Sequence, residues 1–189
     1  EMRLSGSPSD VHIRKAREAA ERIAAMIQFT KVYEDIGVKA PAWQNIRKMV
    51  DQVAKEATTD GVRIVNEVPA DLEMFADPLM TKVLYNLIDN AVRHGERISA
   101  IRFHIDSKDG RTSLVCEDDG VGISDDMKGR LFTRGFGKIH GLGLFLSKEI
   151  LAITDIAIEE NGVPGKGARF ALTPPPNGIR TMPSEPAAD

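Results

Sequence analysis

Residues 82–94, Lys-Val-Leu-Tyr-Asn-Leu-Ile-Asp-Asn-Ala-Val-Arg-His, split into two halves when wound as an α-helix. Val83, Leu84, Leu87, Ile88, Ala91 and Val92 share one half; Lys82, Asn86, Asp89, Asn90 and Arg93 share the other. A helix divided this way must lay its apolar half on a sheet or another helix. Its polar half is unusual in kind. Asparagine is a mediocre helix former, yet Asn86, Asn90 and Arg93 stand at i, i+4 and i+7 on a single line. Amide oxygens in a row suit a hard cation such as Mg²⁺, and the arginine suits a phosphate. A solvated polar face gives the same pattern, so this helix alone leaves both readings open.

The rest of the chain supplies what the helix needs. Residues 1–9 read as a turn, with Ser9 or Asp10 as a cap for a helix over 10–36. Ile13, Ala16, Ala20, Ile23, Ile27 and Thr30 form an apolar stripe on that helix, which calls for a helical partner across a dimer. Packing on its own domain is the alternative. Gly37 and Pro41 end it. A second amphipathic helix is expected over 45–58, and short strands over 62–65 and 72–75. The helix described above spans 77–94, and strands follow over 97–106 and 112–117. A Gly-rich irregular stretch covers 118–138, a further helix 141–152, and strands near 155–159 and 168–172 close the domain. Helices alternating with mostly antiparallel strands predict an α+β fold, a two-layer α/β sandwich. The Pro-rich segment after Pro174 is expected to be disordered. The expected division is a helical segment over 1–37, a catalytic domain over 38–174 and a tail over 175–189.

Bulk properties remove several classes. A formal charge of −3 gives no pull towards nucleic acid. No apolar run approaches the roughly 18 residues that span a bilayer. The single cysteine, Cys116, has no internal disulfide partner and sits in an apolar strand-like run, which fits a reducing compartment.

Two glycine-rich elements carry further chemistry. Asp118-Asp119-Gly120-Val121-Gly122-Ile123 follows a predicted strand. Its glycines allow close backbone passage. A carboxylate at a strand end accepts a hydrogen bond from an exocyclic amine such as that of adenine and rejects the carbonyl that guanine offers there. An ordinary acidic turn reads the same in isolation. His140-Gly141-Leu142-Gly143-Leu144 opens a helix, where free N–H groups and the dipole favour phosphate. No GxxxxGK[ST] P-loop and no complete dinucleotide fingerprint occurs. Between the two lies a segment with Phe132, Arg134, Phe136 and Lys138, read as a lid whose basic groups either meet phosphates or remain surface charges.

These elements in this order, closed by Gly165-Lys-Gly167-Ala-Arg-Phe170, resemble the histidine-kinase ATPase family, a relative of DNA gyrase, the ninety-kilodalton heat-shock chaperone and mismatch-repair ATPases. Asn86–His94 resembles the N box and Asp118–Gly122 the first glycine box. Phe132–Phe136 resembles the F box, Gly141–Leu144 the second glycine box and Gly167–Phe170 the last glycine motif; the likeness covers about residues 40–173. It implies a Bergerat-type sandwich that binds ATP with Mg²⁺. Asn90 would coordinate the metal with Asn86 in support, Arg93 and His94 would contact phosphates, and Asp118 would read the adenine amine. Gly120 and Gly122 would shape the base pocket, Gly141, Gly143 and Leu144 would form the phosphate-side turn, and Ile123 and Leu142 belong to the implied ATP-binding set. Phe132, Arg134, Lys138, His140 and Ala168 complete the implied ATP-binding set. The sequence departs from the family pattern at Ile139, His140 and Ala168, and the lid is short.

The helix over 10–36 resembles the second helix of the family's dimerisation and phosphotransfer hairpin, which implies a homodimer. None of the four histidines, His12, His94, His104 and His140, stands in the acceptor pattern, so the phosphate acceptor is expected upstream of Glu1. The implied activity is transfer of the ATP γ-phosphoryl group to a histidine, then to a response-regulator receiver domain. The implied location is cytoplasmic, with any membrane anchor upstream. Asn86, where the ATPase branches carry a water-activating glutamate, argues against efficient hydrolysis. Two rival readings are a degenerate nucleotide-binding or dimerisation module, for which the departures speak, and a serine kinase, against which the helix over 10–36 speaks.

Overall fold

The computed structural model describes residues 8–59, 61–108, 110–135 and 142–182. Helix α1 (Pro8–Asp35) leads into strand β1 (Ala42–Asn45), helix α2 (Ile46–Glu56), and strands β2 (Arg63–Asn66) and β3 (Leu72–Ala76). Helix α3 (Met80–His94) precedes the long hairpin of β4 (Ala100–Lys108) and β5 (Arg111–Asp118). Then come the short helix α4 (Asp125–Lys128), helix α5 (Gly143–Ala152), and strands β6 (Ala157–Glu160), β7 (Arg169–Thr173) and β8 (Ile179–Thr181).

Five strands form the main sheet in the order β2-β4-β5-β7-β6. The β2–β4 pair is parallel and the other three pairs are antiparallel. The period-2 alternation of the strands decides which face is covered. Ile101 and Phe103 of β4, Leu114 and Cys116 of β5, and Phe170 and Leu172 of β7 are buried. They meet Val83, Leu84, Leu87 and Ile88 of α3 and Ile150 and Leu151 of α5 in one core. Full burial of each large aliphatic side chain stabilises by about 1.5–3 kcal/mol, so the apolar half of α3 is what fixes it to the sheet. The other face carries charge: Arg102 pairs with Glu117 and Glu67, and Arg169 with Asp106. The two-layer sandwich expected from the sequence is present.

A second sheet of order β1-β3-β8 differs from the expectation. Residues 42–45 were expected to lead into a helix, but they pair antiparallel with β3 from Ala42↔Ala76 to Asn45↔Glu73. Asn45 then caps α2, accepting at 2.9 Å from the Lys48 N–H. The segment after Pro174 is not disordered throughout. Ile179–Thr181 pairs with β3, and Arg180 binds Glu73 and lies 4.0 Å over the Trp43 ring. The domain therefore runs on to Met182, and residues 183–189 lie outside the described residues.

Helix α1 presents two environments. Ile13, Ile23 and Ile27 are 66%, 62% and 65% exposed, so this part of the stripe has no cover among the described residues. Phe29 and Val32, near the helix end, are buried in the domain core. Phe29 packs on Phe145 of α5 with ring centroids 6.2 Å apart. Packing on its own domain is thus seen at the end of the helix, while the isoleucines further up stay exposed.

Candidate functional site

Helix α3 sets one wall of a cleft of about 540 Å³, with Asn86, Asp89, Asn90 and His94 along it. Opposite stand Asp118, Gly122, Ile123 and Ala168, and the N-terminal turn of α5 contributes Gly143 and Leu144. Asn90 and Asp118 therefore share one cavity.

Asp118 ends β5. Its Oδ1 accepts from the Gly120 N–H at 2.9 Å and from the Ala168 N–H at 3.2 Å. Its other oxygen has no partner among the described residues. Burial raises the carboxyl above its ordinary pKa, against the pull of those two backbone donors, and the charges of Asp119 and Glu160 raise it further. Asp119 behaves oppositely. The Ser99 hydroxyl, then the Ser99 and Ala100 N–H groups, hold it down to about 2. One carboxylate of the pair thus anchors the start of β4, while the other keeps an acceptor oxygen for the cleft.

Glycines at this corner let main chains touch. A Cβ on Gly120 would lie 2.5 Å from the Gly95 carbonyl oxygen, and one on Gly167 only 1.8 Å from that of Asp118. Gly167 also has φ +107°, a region side-chain-bearing residues rarely adopt. Val121 N–H donates to Gly95 O at 3.2 Å, which ties the turn after β5 to the end of α3. The far wall is held by Glu160, whose buried side chain accepts from the Gly162 and Arg169 N–H groups at 3.0 and 3.2 Å. Lys128 of α4 reaches Glu160 Oε2 at 3.3 Å and donates to Gly162 O at 2.7 Å.

Several expected residues take other places. Arg93 turns aside from the cleft lining and binds Asp89 Oδ1 through Nε at 2.7 Å. The wheel placed it on the Asn86–Asn90 line, but a long side chain follows its ion-pair partner four residues back. Phe132 packs edge-on to Phe170 at 6.5 Å, as part of the core rather than the cleft. Arg134 lies 5.7 Å over the Phe29 ring of α1. Gly120 shapes the pocket from behind, and Leu142 packs against the core. Lys138, His140 and Gly141, like Phe136 and Ile139, lie outside the described residues.

The sequence reading gave no role to Asp89 of the helix's polar half, nor to Glu96, Val121, Ser124, Met127, Leu131 and Pro164 of the lining. Met127 and Leu131 stand four apart, a helical spacing that could have drawn attention to this side of the cleft. Ala168 lines the cleft, and it is its backbone N–H that donates to Asp118, a contact that needs no particular side chain.

A sheet covered on one face by helices, with a cleft between an amide-bearing helix and a carboxylate-marked glycine turn, defines an ATP-binding sandwich domain. The model of the histidine kinase-, DNA gyrase B- and HSP90-like ATPase family matches residues 76–178, more than half of the chain, and the chain belongs to that family. It is 33% identical over 141 residues to the adaptive-response sensory kinase SasA of Crocosphaera subtropica, covering 68% of this chain and 36% of that protein. It is 27% identical over 144 residues to the sensor protein kinase WalK of Staphylococcus aureus, covering 69% of this chain and 23% of that one. The chain thus spans about a third or less of these curated relatives. Among solved structures, full-length ShkA in complex with AMPPNP superposes with TM-score 0.69 at 22% identity, over 96% of this chain and 41% of that one. The mycobacterial sensor histidine kinase MprB gives 0.64 at 18% identity, over 76% and 100%. These likenesses show the same fold. The domain is a histidine-kinase-type ATPase domain homologous to sensor kinases, and nothing in the comparisons favours the degenerate reading.

Proposed function

We propose that the cleft binds ATP with its adenine at Asp118 and its phosphates along Asn86, Asn90 and the N-terminus of α5, and that the domain phosphorylates a histidine. The observation that carries this is the single cavity lined by both Asn90 and Asp118. The unbonded oxygen of Asp118 faces the chemistry of an exocyclic amine. The N-terminus of α5 at Gly143 and Leu144 offers N–H groups and the positive end of a helix dipole to phosphate.

The donor set fits Mg²⁺. The Asn90 side chain makes no hydrogen bond among the described residues, so its amide oxygen is available in the cleft. Among the described residues no group of three or more His, Cys, Asp or Glu could cage a metal. A cation there would draw most of its ligands from phosphate and water, as Mg²⁺ commonly does. When bound, Mg²⁺ offsets phosphate charge. The protein's own part is to orient the nucleotide and exclude water from the γ-phosphorus. The acceptor imidazole nitrogen forms the P–N bond while the β–γ bridging P–O bond breaks and its electron pair leaves with ADP.

The acceptor histidine, a response-regulator receiver domain as the next acceptor, and a homodimer through the exposed isoleucines of α1 belong to this proposal. Among the described residues no helix is long and apolar enough to cross a membrane. Calorimetry with Mg-ATP and Mg-GTP tests the reading. Saturable binding of ATP with weaker binding of GTP is expected; no heat with either nucleotide would overturn it.

A further inference from the structure

One polar side chain in the core has no part in the chemistry above. Ser147 lies on the buried face of α5, beside Leu146, Ile150 and Leu151, and is fully buried. Its hydroxyl donates to the Gly143 carbonyl at 2.9 Å, one turn back. Asn86 of α3 donates through Nδ2 to the same carbonyl at 3.0 Å and to Ser147 Oγ at 3.1 Å. The three groups close a triangle between the two helices that wall the cleft.

Proton accounting fixes the direction of every bond in it. A backbone carbonyl only accepts, so both Asn86 Nδ2 and Ser147 Oγ must point hydrogens at Gly143 O. The hydroxyl's single hydrogen is then committed, and its lone pair receives the second Nδ2 hydrogen. Both amide hydrogens are used. Rotating the amide by half a turn would set Oδ1 against the carbonyl oxygen, acceptor facing acceptor, in a site that water does not reach at Ser147. Asn86 Oδ1 is therefore held on the opposite side. It has no partner among the described residues and is not among the buried unsatisfied atoms, so it opens on the cleft that Asn86 lines.

We infer that Ser147 is a positioning residue. Through the Gly143 carbonyl it locks the Asn86 amide so that an oxygen, and not an NH₂, faces the metal-bearing phosphates. This rests on the ATP and Mg²⁺ reading given above. It also means that the second glycine box acts on the N box through a main-chain carbonyl, apart from any contact with phosphate. The hydrogen bond back along the helix stabilises α5 little. A merely structural serine would therefore tolerate alanine without consequence for metal.

The test is Ser147→Ala, with ATP affinity measured in Mg²⁺ and in EDTA. Loss of an outer partner that orients a metal ligand costs about tenfold or more in metal affinity. The ratio of Kd in EDTA to Kd in Mg²⁺ should therefore fall by about tenfold in S147A, with ATP affinity in EDTA unchanged. In the ligand-free protein, the Asn86 side-chain NH₂ protons should exchange slowly with solvent and resonate away from ordinary asparagine positions by NMR, and S147A should speed the exchange and bring the shifts back towards them. Ser147→Thr, which keeps the hydroxyl, should restore the Mg²⁺ ratio; if its added methyl disrupts folding, the NMR comparison of wild type and S147A still decides. An unchanged Mg²⁺ ratio in S147A alongside ATP-binding wild type overturns the role of Ser147. Wild-type protein that binds no ATP in either buffer overturns the nucleotide reading beneath it.

Discussion

Asp118→Asn separates recognition from folding at a single atom. Asp118 Oδ1 holds the Gly120 and Ala168 N–H groups, and asparagine keeps that oxygen. The change falls on the other oxygen, which becomes an NH₂ facing the adenine amine. Donor then meets donor where a charged acceptor stood. Loss of a charge-assisted hydrogen bond costs about 1.5–3 kcal/mol, which corresponds to roughly a 10- to 150-fold rise in Kd for ATP. Stability should move the other way or not at all. Burial raises the Asp118 pKa in the folded state, so its ionised form weakens the fold relative to the unfolded chain, and neutral asparagine removes that penalty. Calorimetry with Mg-ATP and Mg-GTP, beside a thermal melt, gives both quantities. A Kd within twofold of wild type, with the preference for ATP intact, would refute the assignment of Asp118 to the base.

The same carboxylate predicts a pH effect: because its pKa is raised, ATP affinity should fall on acidification with a break above 3.8, and the break should vanish in D118N. Gly167→Ala sets a Cβ 1.8 Å from a carbonyl oxygen in a strained φ region, and should destabilise by about 3 kcal/mol or more while abolishing ATP binding, read by denaturant melts. Asn45→Ala removes the α2 cap and a hydrogen bond to Ala70 O, and should cost about 1–2 kcal/mol with Kd for ATP unchanged. Ile27→Lys, at a position 65% exposed, should shift stability by less than about 0.5 kcal/mol yet reduce self-association in sedimentation.

Long periodic segments were legible because one interaction dominates them. The apolar half of α3 and the alternation of β4, β5 and β7 each declare a buried face, and both are found where expected. Asp118 was legible because a carboxylate next to paired glycines limits what its turn can do. Strands β1 and β8 were not. Ala-Trp-Gln-Asn and Ile-Arg-Thr are too short to show a period, and they become strands only by pairing with β3. Arg93 and Asp89 exchanged expected places because helical spacing fixes where a Cα stands and leaves a long side chain free to follow an ion pair. Ser147 was hidden for another reason: a serine between Leu146 and Lys148 gives no sign of what lies on the neighbouring helix.

Asp118 accepts from Ala168, fifty positions further along the chain, and the Asp118 N–H answers to the Ala168 carbonyl at 3.0 Å. This corner can assemble only when the central and late strands have already met, a step that closes a long loop and so comes at an entropic cost. Nucleotide bound there would select chains in which that closure is complete. Its stabilisation, growing with ligand concentration over Kd, should spread through the whole sheet and raise a single cooperative melting transition instead of protecting one loop.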